Sequence, residues 1–303
     1  MRATAISRDP LSRAAAGDRP RDLLVAGHIN VDRFLRVTEF PPADRTVPIL
    51  ASRSELGGTA ANIALTATRY GVACGLVARV GDGFTPAMEA PLRRARIDLR
   101  GVVHTPGRAT PTCFIVEDSR GAQRTLIDQG PMADRPVLPF RVPTGMEEYS
   151  WLHVTTGPPS VHLRLVDAAR ARGLRVAADP AQEIHYRWNA TLLRRLLAAS
   201  ELFFGNRSEV DRVLELMGLS SPTALLEYVP LVIRTEGAKG ATAFSRRGTV
   251  RVAARRPKRR RTIVGAGDAF RGGFYAGWFE GAPLVGCLEA GSRAAARWIE
   301  GAR

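Results

Sequence analysis

Cysteine is scarce, and its pattern excludes two chemistries. The three cysteines, Cys74, Cys113 and Cys287, are far apart and odd in number. They give neither a disulfide framework nor metal-ligand spacing. Each reads as a small core residue in a reducing compartment, so a cytoplasmic location is expected. No run of about 18 apolar residues occurs, so no membrane-spanning helix is expected. The N-terminal stretch has no apolar core of a secretory signal. Lysine is nearly absent, with Lys239 and Lys258 alone. There is no Gly-x-x-x-x-Gly-Lys-Ser/Thr, which excludes the P-loop. No Gly-x-Gly-x-x-Gly follows the first apolar strand, which disfavours a dinucleotide-binding dehydrogenase. No repeat of fixed period appears.

What is present is a chain of 303 residues, 45% hydrophobic, enough for one large α/β domain with a small accessory part. The net charge is +15 and is carried almost entirely by arginine. That balance suits anionic partners: nucleotides, sugar phosphates or nucleic acid. The arginines are spread along the chain, as a coding bias would spread them. With no helix-turn-helix, zinc-finger or RNP pattern, specific nucleic-acid binding is not expected. The run Arg255 to Arg261 is either a solvated loop or a phosphate-facing patch.

Residues 1–20 are polar and rich in Arg and Ala, and read as a flexible tail with a weak transit-peptide look. Order begins with the strand at Leu23, which ends in a polar turn carrying Asn30 and Asp32. Two glycines, Gly57 and Gly58, open a helix of small residues that holds Asn62 and stops at Gly71. Strand-like runs over about 33–55 and 98–128 are expected to form a small sheet beside the main domain, as a lid would. From Trp151 onward strands and helices alternate, ending in Asn206, Thr235 and the segment after Arg261. This rhythm argues for a mostly parallel sheet with helices on both faces. Ligands of such sheets bind beyond the carboxyl ends of the strands.

The stretch Gly265-Ala266-Gly267-Asp268 reads as a glycine turn that opens a buried helix. Such a turn offers free N–H groups and the positive end of a helix dipole to an anion such as phosphate. Asp268 inside it is either a base beside a phosphoryl group or a plain helix-start acid stabilised by the dipole.

Five ordered marks carry a resemblance: Asn30-Val-Asp32, Gly57-Gly58-Thr-Ala-Ala-Asn62, Asn206-Arg-Ser-Glu209, Thr235-Glu-Gly237-Ala-Lys-Gly240 and Gly265-Ala-Gly267-Asp268. From about Leu23 onward the chain resembles the ribokinase-like (pfkB) carbohydrate and nucleoside kinases. The resemblance implies a ribokinase-like α/β/α sandwich with a small β-lid, spanning 21–303. It implies transfer of the γ-phosphoryl group of ATP, with Mg²⁺, to a hydroxyl. Carried over by position, Asp268 is the base, and Gly265, Ala266 and Gly267 form the anion hole. Asn206 and Glu209 organise Mg²⁺ through water, and Asn206, Thr235, Gly237 and Gly240 face ATP. Asn30, Asp32, Gly58 and Asn62 bind the acceptor, and Gln123 on the lid reaches toward it. The stretches Val25 to His28, Thr155 to Pro158, Asp179 to Gln182 and Gly267 to Gly272 look most like archaeal-type nucleoside kinases and related phosphofructokinases. The acceptor is therefore a nucleoside or a sugar phosphate such as fructose 6-phosphate. The alternatives are a simple sugar kinase such as ribokinase and, from another class, a sugar- or nucleotide-sensing relative without turnover. Lid-to-lid dimers occur in the family, so a homodimer is a further expectation.

Two departures bear on mechanism. Thr262-Ile263-Val264 stands where the family usually carries Asp-Thr. In many relatives that Asp helps hold a monovalent cation beside the anion hole, so K⁺ activation is not carried over. The chain also stops sooner after the glycine turn than relatives do, which leads us to expect a more open adenine pocket and loose nucleotide choice.

Overall fold

The computed structural model describes residues 21–133 and 141–301. The expected tail over residues 1–20 lies outside the described residues. A nine-stranded sheet forms the centre, in the order β13 (Gly248–Val252), β12 (Ala241–Ser245), β11 (Leu231–Thr235), β10 (Leu202–Asn206), β9 (Arg175–Ala178), β8 (Tyr149–Val154), β1 (Arg21–Ala26), β4 (Cys74–Asp82) and β5 (Asp98–Ala109). Seven of these pair in parallel, and β12 and β13 close one edge as an antiparallel hairpin.

The central strands are apolar throughout because both faces of the sheet are covered. Leu23 and Val25 of β1, Trp151 of β8, and Leu202 and Phe204 of β10 enter one core. Their neighbours Leu24, Ala26, Leu152, Val154 and Phe203 enter the other. Helices α1 (Thr59–Arg69), α2 (Pro86–Arg94), α6 (Ala266–Phe279) and α7 (Leu284–Ile299) cover the first face. The second is covered by α3 (Pro159–Ala171), α4 (Ala190–Ala198) and α5 (Arg207–Met217). Each large side chain buried this way stabilises the fold by about 1.5–3 kcal/mol. Helix α6 is buried on every side from Ala269 to Trp278, as expected of a helix that is apolar all round. It sits close between its neighbours. A Cβ at Gly272 would come 2.6 Å from Thr66 of α1, and one at Gly273 would come 2.4 Å from Ala294 of α7.

A second sheet has four strands, in the order β3 (Ile49–Gly57), β2 (Asn30–Val37), β6 (Thr112–Glu117) and β7 (Gln123–Asp128). The expected extent of this small sheet needs correction. Residues 98–109 do not join it, because Asp98–Ala109 pairs in parallel with β4 as the edge strand of the large sheet. Local alternation marks a half-covered strand but does not say which sheet it extends. The inner face of the small sheet carries Phe34, Cys113 and Ile115, which pack on Val264 just before α6. The small sheet thus rests on the glycine turn.

Candidate active site

The parallel register sets Asn206 at the end of β10 level with Thr235 at the end of β11. Asn30 follows the end of β1 by four residues. Asn30, Asn206 and Thr235 therefore share the carboxyl edge of the large sheet, where ligands of such sheets bind.

On one side of the cleft, Gly58 caps α1 with φ 97°. A side chain there would strike the His28 carbonyl oxygen at 2.4 Å and the Asn30 nitrogen at 2.8 Å, so only glycine lets the two loops close up. Asn30 and Asp32 are buried on β2, and Asn62 is buried in the first turn of α1. The Asn30 amide oxygen is buried without a hydrogen-bond partner, a group a polyol would satisfy. Asn62 reaches the other side of the cleft. Its Nδ2 donates to Asp268 Oδ2 at 3.0 Å.

Asp268 lies in the first turn of α6. Its surface is only partly covered, and its carboxylate accepts from Asn62 of α1. Burial pushes its pKa up to about 7, against the opposing pull of the Arg271 charge and the Asn62 hydrogen bond. That range suits a group that takes a proton near neutrality. The turn at Gly265 has φ 81°. Ala266 does not offer its N–H to the cleft as expected, because it donates to Ile263 O at 3.2 Å. The N–H groups of Gly265, Gly267 and Asp268 have no backbone acceptor among the described residues.

Behind the turn lies a buried network that the sequence reading missed. A Cβ on Gly267 would come 3.0 Å from Arg271 Nη1, so a guanidinium sits directly under the helix start. Arg271 is 5% exposed and clasps Asp179, which is fully buried. Its Nη2 donates to Asp179 Oδ1 at 2.8 Å, its Nε pairs with the other oxygen, and Glu209 Oε2 lies 3.9 Å away. Burial alone would lower the Arg271 pKa, but Asp179 and Glu209 raise it. Asp179 is held low by Arg271 and His153 despite its burial. His153 stands 3.3 Å from Asp179 Oδ2 and bonds Tyr275 Oη at 2.8 Å. One signal was available: Arg271 is the only charge in the apolar run from Ala269 to Phe279.

Asn206 and Glu209 form a reciprocal cap at the start of α5. Asn206 Oδ1 accepts from Glu209 N at 2.9 Å, and Glu209 Oε2 accepts from Asn206 N at 2.7 Å. Burial raises the Glu209 pKa, with Arg271 opposing. Past Thr235, a turn runs through Gly237 to Gly240 and is anchored by Glu236, whose buried carboxylate pairs with Arg234, Arg207 and Arg251 at 2.6, 3.0 and 3.3 Å.

Gln123 is not brought to this group. It is exposed on β7, donates to Glu117 at 2.6 Å, and stands level with Arg36 across the sheet. Arg36 is four residues beyond Asp32 along β2, about 13 Å at strand spacing. Another cluster lies beside the Gly58 turn, around His28, and the sequence reading did not assign it. His28 Nε2 meets Gln129 Oε1 at 2.6 Å. The Gln129 amide nitrogen donates to Glu183 at 3.2 Å and to Tyr186 Oη at 3.1 Å. Arg187 pairs with Glu183 at 3.1 Å and donates to the Met132 carbonyl at 3.2 Å. Burial lowers the His28 pKa and keeps the ring neutral.

Among the described residues no group of three or more His, Cys, Asp or Glu is placed to hold a metal directly. No helix among them is long and apolar enough to cross a membrane.

Residues 20–301 match the family described as pfkB family carbohydrate kinase. A nucleoside kinase of Methanothermobacter thermautotrophicus is 30% identical over 92% of this chain and 90% of its own. A cytidine kinase of Thermococcus kodakarensis is 28% identical over 89% of this chain and 93% of its own. The crystal structure of the Methanocaldococcus jannaschii nucleoside kinase, an archaeal member of the ribokinase family, superposes with a TM-score of 0.84, covering 94% of this chain and 93% of that one at 24% identity. With the fold, the family pattern and full-length relatives in agreement, the chain belongs to the pfkB family of carbohydrate kinases and is an ATP-dependent phosphotransferase with an alcohol group as acceptor.

Proposed function

We propose that the acceptor is a nucleoside and that Asp268 is the general base that takes the proton of its hydroxyl. The supporting observation is the charge of the acceptor side. Asn30, Asp32, Asn62 and Asp268 supply carboxylates and amides there. Arg187 in the adjoining cluster is already held by Glu183 and the Met132 carbonyl, and Arg271 by Asp179. Such a pocket suits neutral hydroxyls and repels a phosphate-bearing sugar. Gln129 and the half-exposed Tyr186, with the buried His28 behind Gln129, give polar groups beside which a base can lie. The names of the relatives point the same way.

In this reading Asn62 orients Asp268 toward the acceptor hydroxyl. The Gly265, Gly267 and Asp268 N–H groups, with Arg271 beneath them, stabilise charge on the phosphoryl group in flight. Phosphoryl transfer asks for positioning and a positive cradle more than covalent chemistry. Asn206, Thr235, Gly237 and Gly240 border the nucleotide. The residues fit a hydrated Mg²⁺ that arrives with ATP: Glu209 and the Asn206 amide would hold its water shell, and among the described residues no cage of carboxylates competes. When bound, the ion offsets the charge of the nucleotide phosphates. The small sheet acts as the lid, and its outer face exposes Leu50 and Leu126 for a homodimer contact. Three buried free cysteines suit the cytoplasm.

The test is ADP release with ATP and Mg²⁺ against adenosine, inosine, guanosine, cytidine, ribose, fructose and fructose 6-phosphate. Turnover with nucleosides supports the reading. Turnover with fructose 6-phosphate alone overturns it, and binding without turnover of any compound indicates a sensing relative.

A further inference from the structure

The loop ahead of α6 is braced from behind by a single side chain. Trp298 of α7 donates its indole N–H to the Val264 carbonyl oxygen at 2.7 Å. That is short for an N–H···O bond, and the indole is 5% exposed. The ring also sits close against the turn, since a Cβ on Gly265 would fall 2.8–3.0 Å from its Cζ2, Cε2 and Nε1 atoms. From the opposite side, the Val264 side chain packs on Phe34, Cys113 and Ile115 of the small sheet. The Val264 N–H is closed off locally by Thr262 Oγ1 at 3.2 Å. Residue 264 is therefore fixed at its nitrogen, its side chain and its oxygen, and Gly265 follows it directly.

Many relatives place a monovalent cation beside this loop, and the residues here do not fit one. Such an ion is held by carbonyl and carboxylate oxygens. Thr262 brings a hydroxyl where relatives bring a carboxylate, and that hydroxyl already accepts from Val264. The Val264 carbonyl already accepts from Trp298. The segment leading into the loop carries Arg255, Arg256, Lys258, Arg259, Arg260 and Arg261. Its end is tied to the same helix, with Arg261 N donating to Ile299 O at 2.9 Å. The site offers a hydrogen-bond donor and a positive field where a cation needs lone pairs and negative charge.

We infer that Trp298 is the positioning residue of the anion hole: its indole N–H does the bracing that a monovalent cation does elsewhere, so the kinase turns over without one. This rests on the reading of Gly265, Gly267 and Asp268 as the reaction centre. The indole touches no reacting atom and acts through the Val264–Gly265 peptide.

The experiment has two arms. Wild-type enzyme is assayed and melted in potassium, sodium and tetramethylammonium chloride at equal ionic strength. The rates should agree within about twofold, less than the worth of one hydrogen bond. The melting temperatures should coincide, because an ion that binds only the folded chain would raise its own. Trp298→Phe keeps an aromatic ring in the core but removes the indole N–H and part of the ring edge that faces Gly265. Its kcat should fall about tenfold, equivalent to about 1.4 kcal/mol, with the acceptor KM unchanged. Several-fold activation or a specific rise in melting temperature by potassium would overturn the inference, as would a folded Trp298→Phe with normal kcat. Absence of turnover with every acceptor would instead sink the reaction-centre reading, and the melting comparison would still decide the cation question.

Discussion

Replacing Arg271 by methionine tests the buried network beneath the glycine turn. Asp179 is fully buried and takes its principal charge pairing from Arg271. Removing one partner of a buried pair costs about 3–5 kcal/mol, because it leaves the other charge without compensation. For a domain of this size each kcal/mol lowers Tm by roughly 2–4 °C, so Arg271→Met should melt about 10 °C below wild type. Asp179→Asn should cost a comparable amount. The double variant removes both charges at once, so its loss should fall short of the sum of the singles by about 1–3 kcal/mol. Thermal denaturation of the four proteins measures this. Additive losses would refute the pairing. A second readout follows from sign. Arg271 lowers the Asp268 pKa, so Arg271→Met should move the acidic limb of the pH–rate profile to higher pH, and an unmoved limb would separate Arg271 from the reaction centre.

Wild-type kcat/KM should rise with pH to a plateau as Asp268 loses its proton at about 7. Asn62→Ala removes a hydrogen bond that favours the charged form, so the rise should shift upward. The same carboxyl affects stability. Its folded pKa lies above its unfolded value near 4, so the unfolded chain loses this proton first and wild-type stability falls between about pH 4 and 7. The Tm of Asp268→Asn relative to wild type should therefore increase from pH 5 to pH 8 (scanning calorimetry). Gly58→Ala places a Cβ against the His28 carbonyl at positive φ; strain of about 1–3 kcal/mol should lower Tm by several degrees and weaken acceptor binding in a titration. Glu209→Gln keeps the cap at α5 and should fold normally. Its kcat should fall at limiting Mg²⁺ and recover in part as Mg²⁺ is raised, and a flat response would remove Glu209 from the metal's water shell.

The strands ending in Asn206 and Thr235, and the turn that opens α6, were legible because each is local: an apolar run followed by a polar or glycine stop. The stretches around His28, Thr156, Asp179 and Arg271 also stood out. In the structure Asp179 and Arg271 form one network, and His28 bonds Thr156 and Gln129 beside the Gly58 turn. What the sequence hid is non-local. Strand β5 alternates as a lid strand would, yet extends the large sheet, because register is settled by partners distant along the chain. The role of Arg271 stays hidden until Asp179, 92 residues earlier, is placed against it. Ala266 matches the family pattern by position, but its N–H direction depends on the turn at Ile263. Gln123 shares the small sheet with Asp32 but lies too far along it to share a ligand.

The most direct measurement is the turnover of Asp268→Asn with ATP, Mg²⁺ and the best nucleoside. The variant keeps the shape of the side chain and a group for Asn62 to bond. It should melt no lower than wild type at pH 8, bind both substrates, and lose about 10²–10⁴-fold in kcat, the range of a lost general base. A folded Asp268→Asn enzyme with a near-normal rate would contradict the assignment of Asp268 as the base.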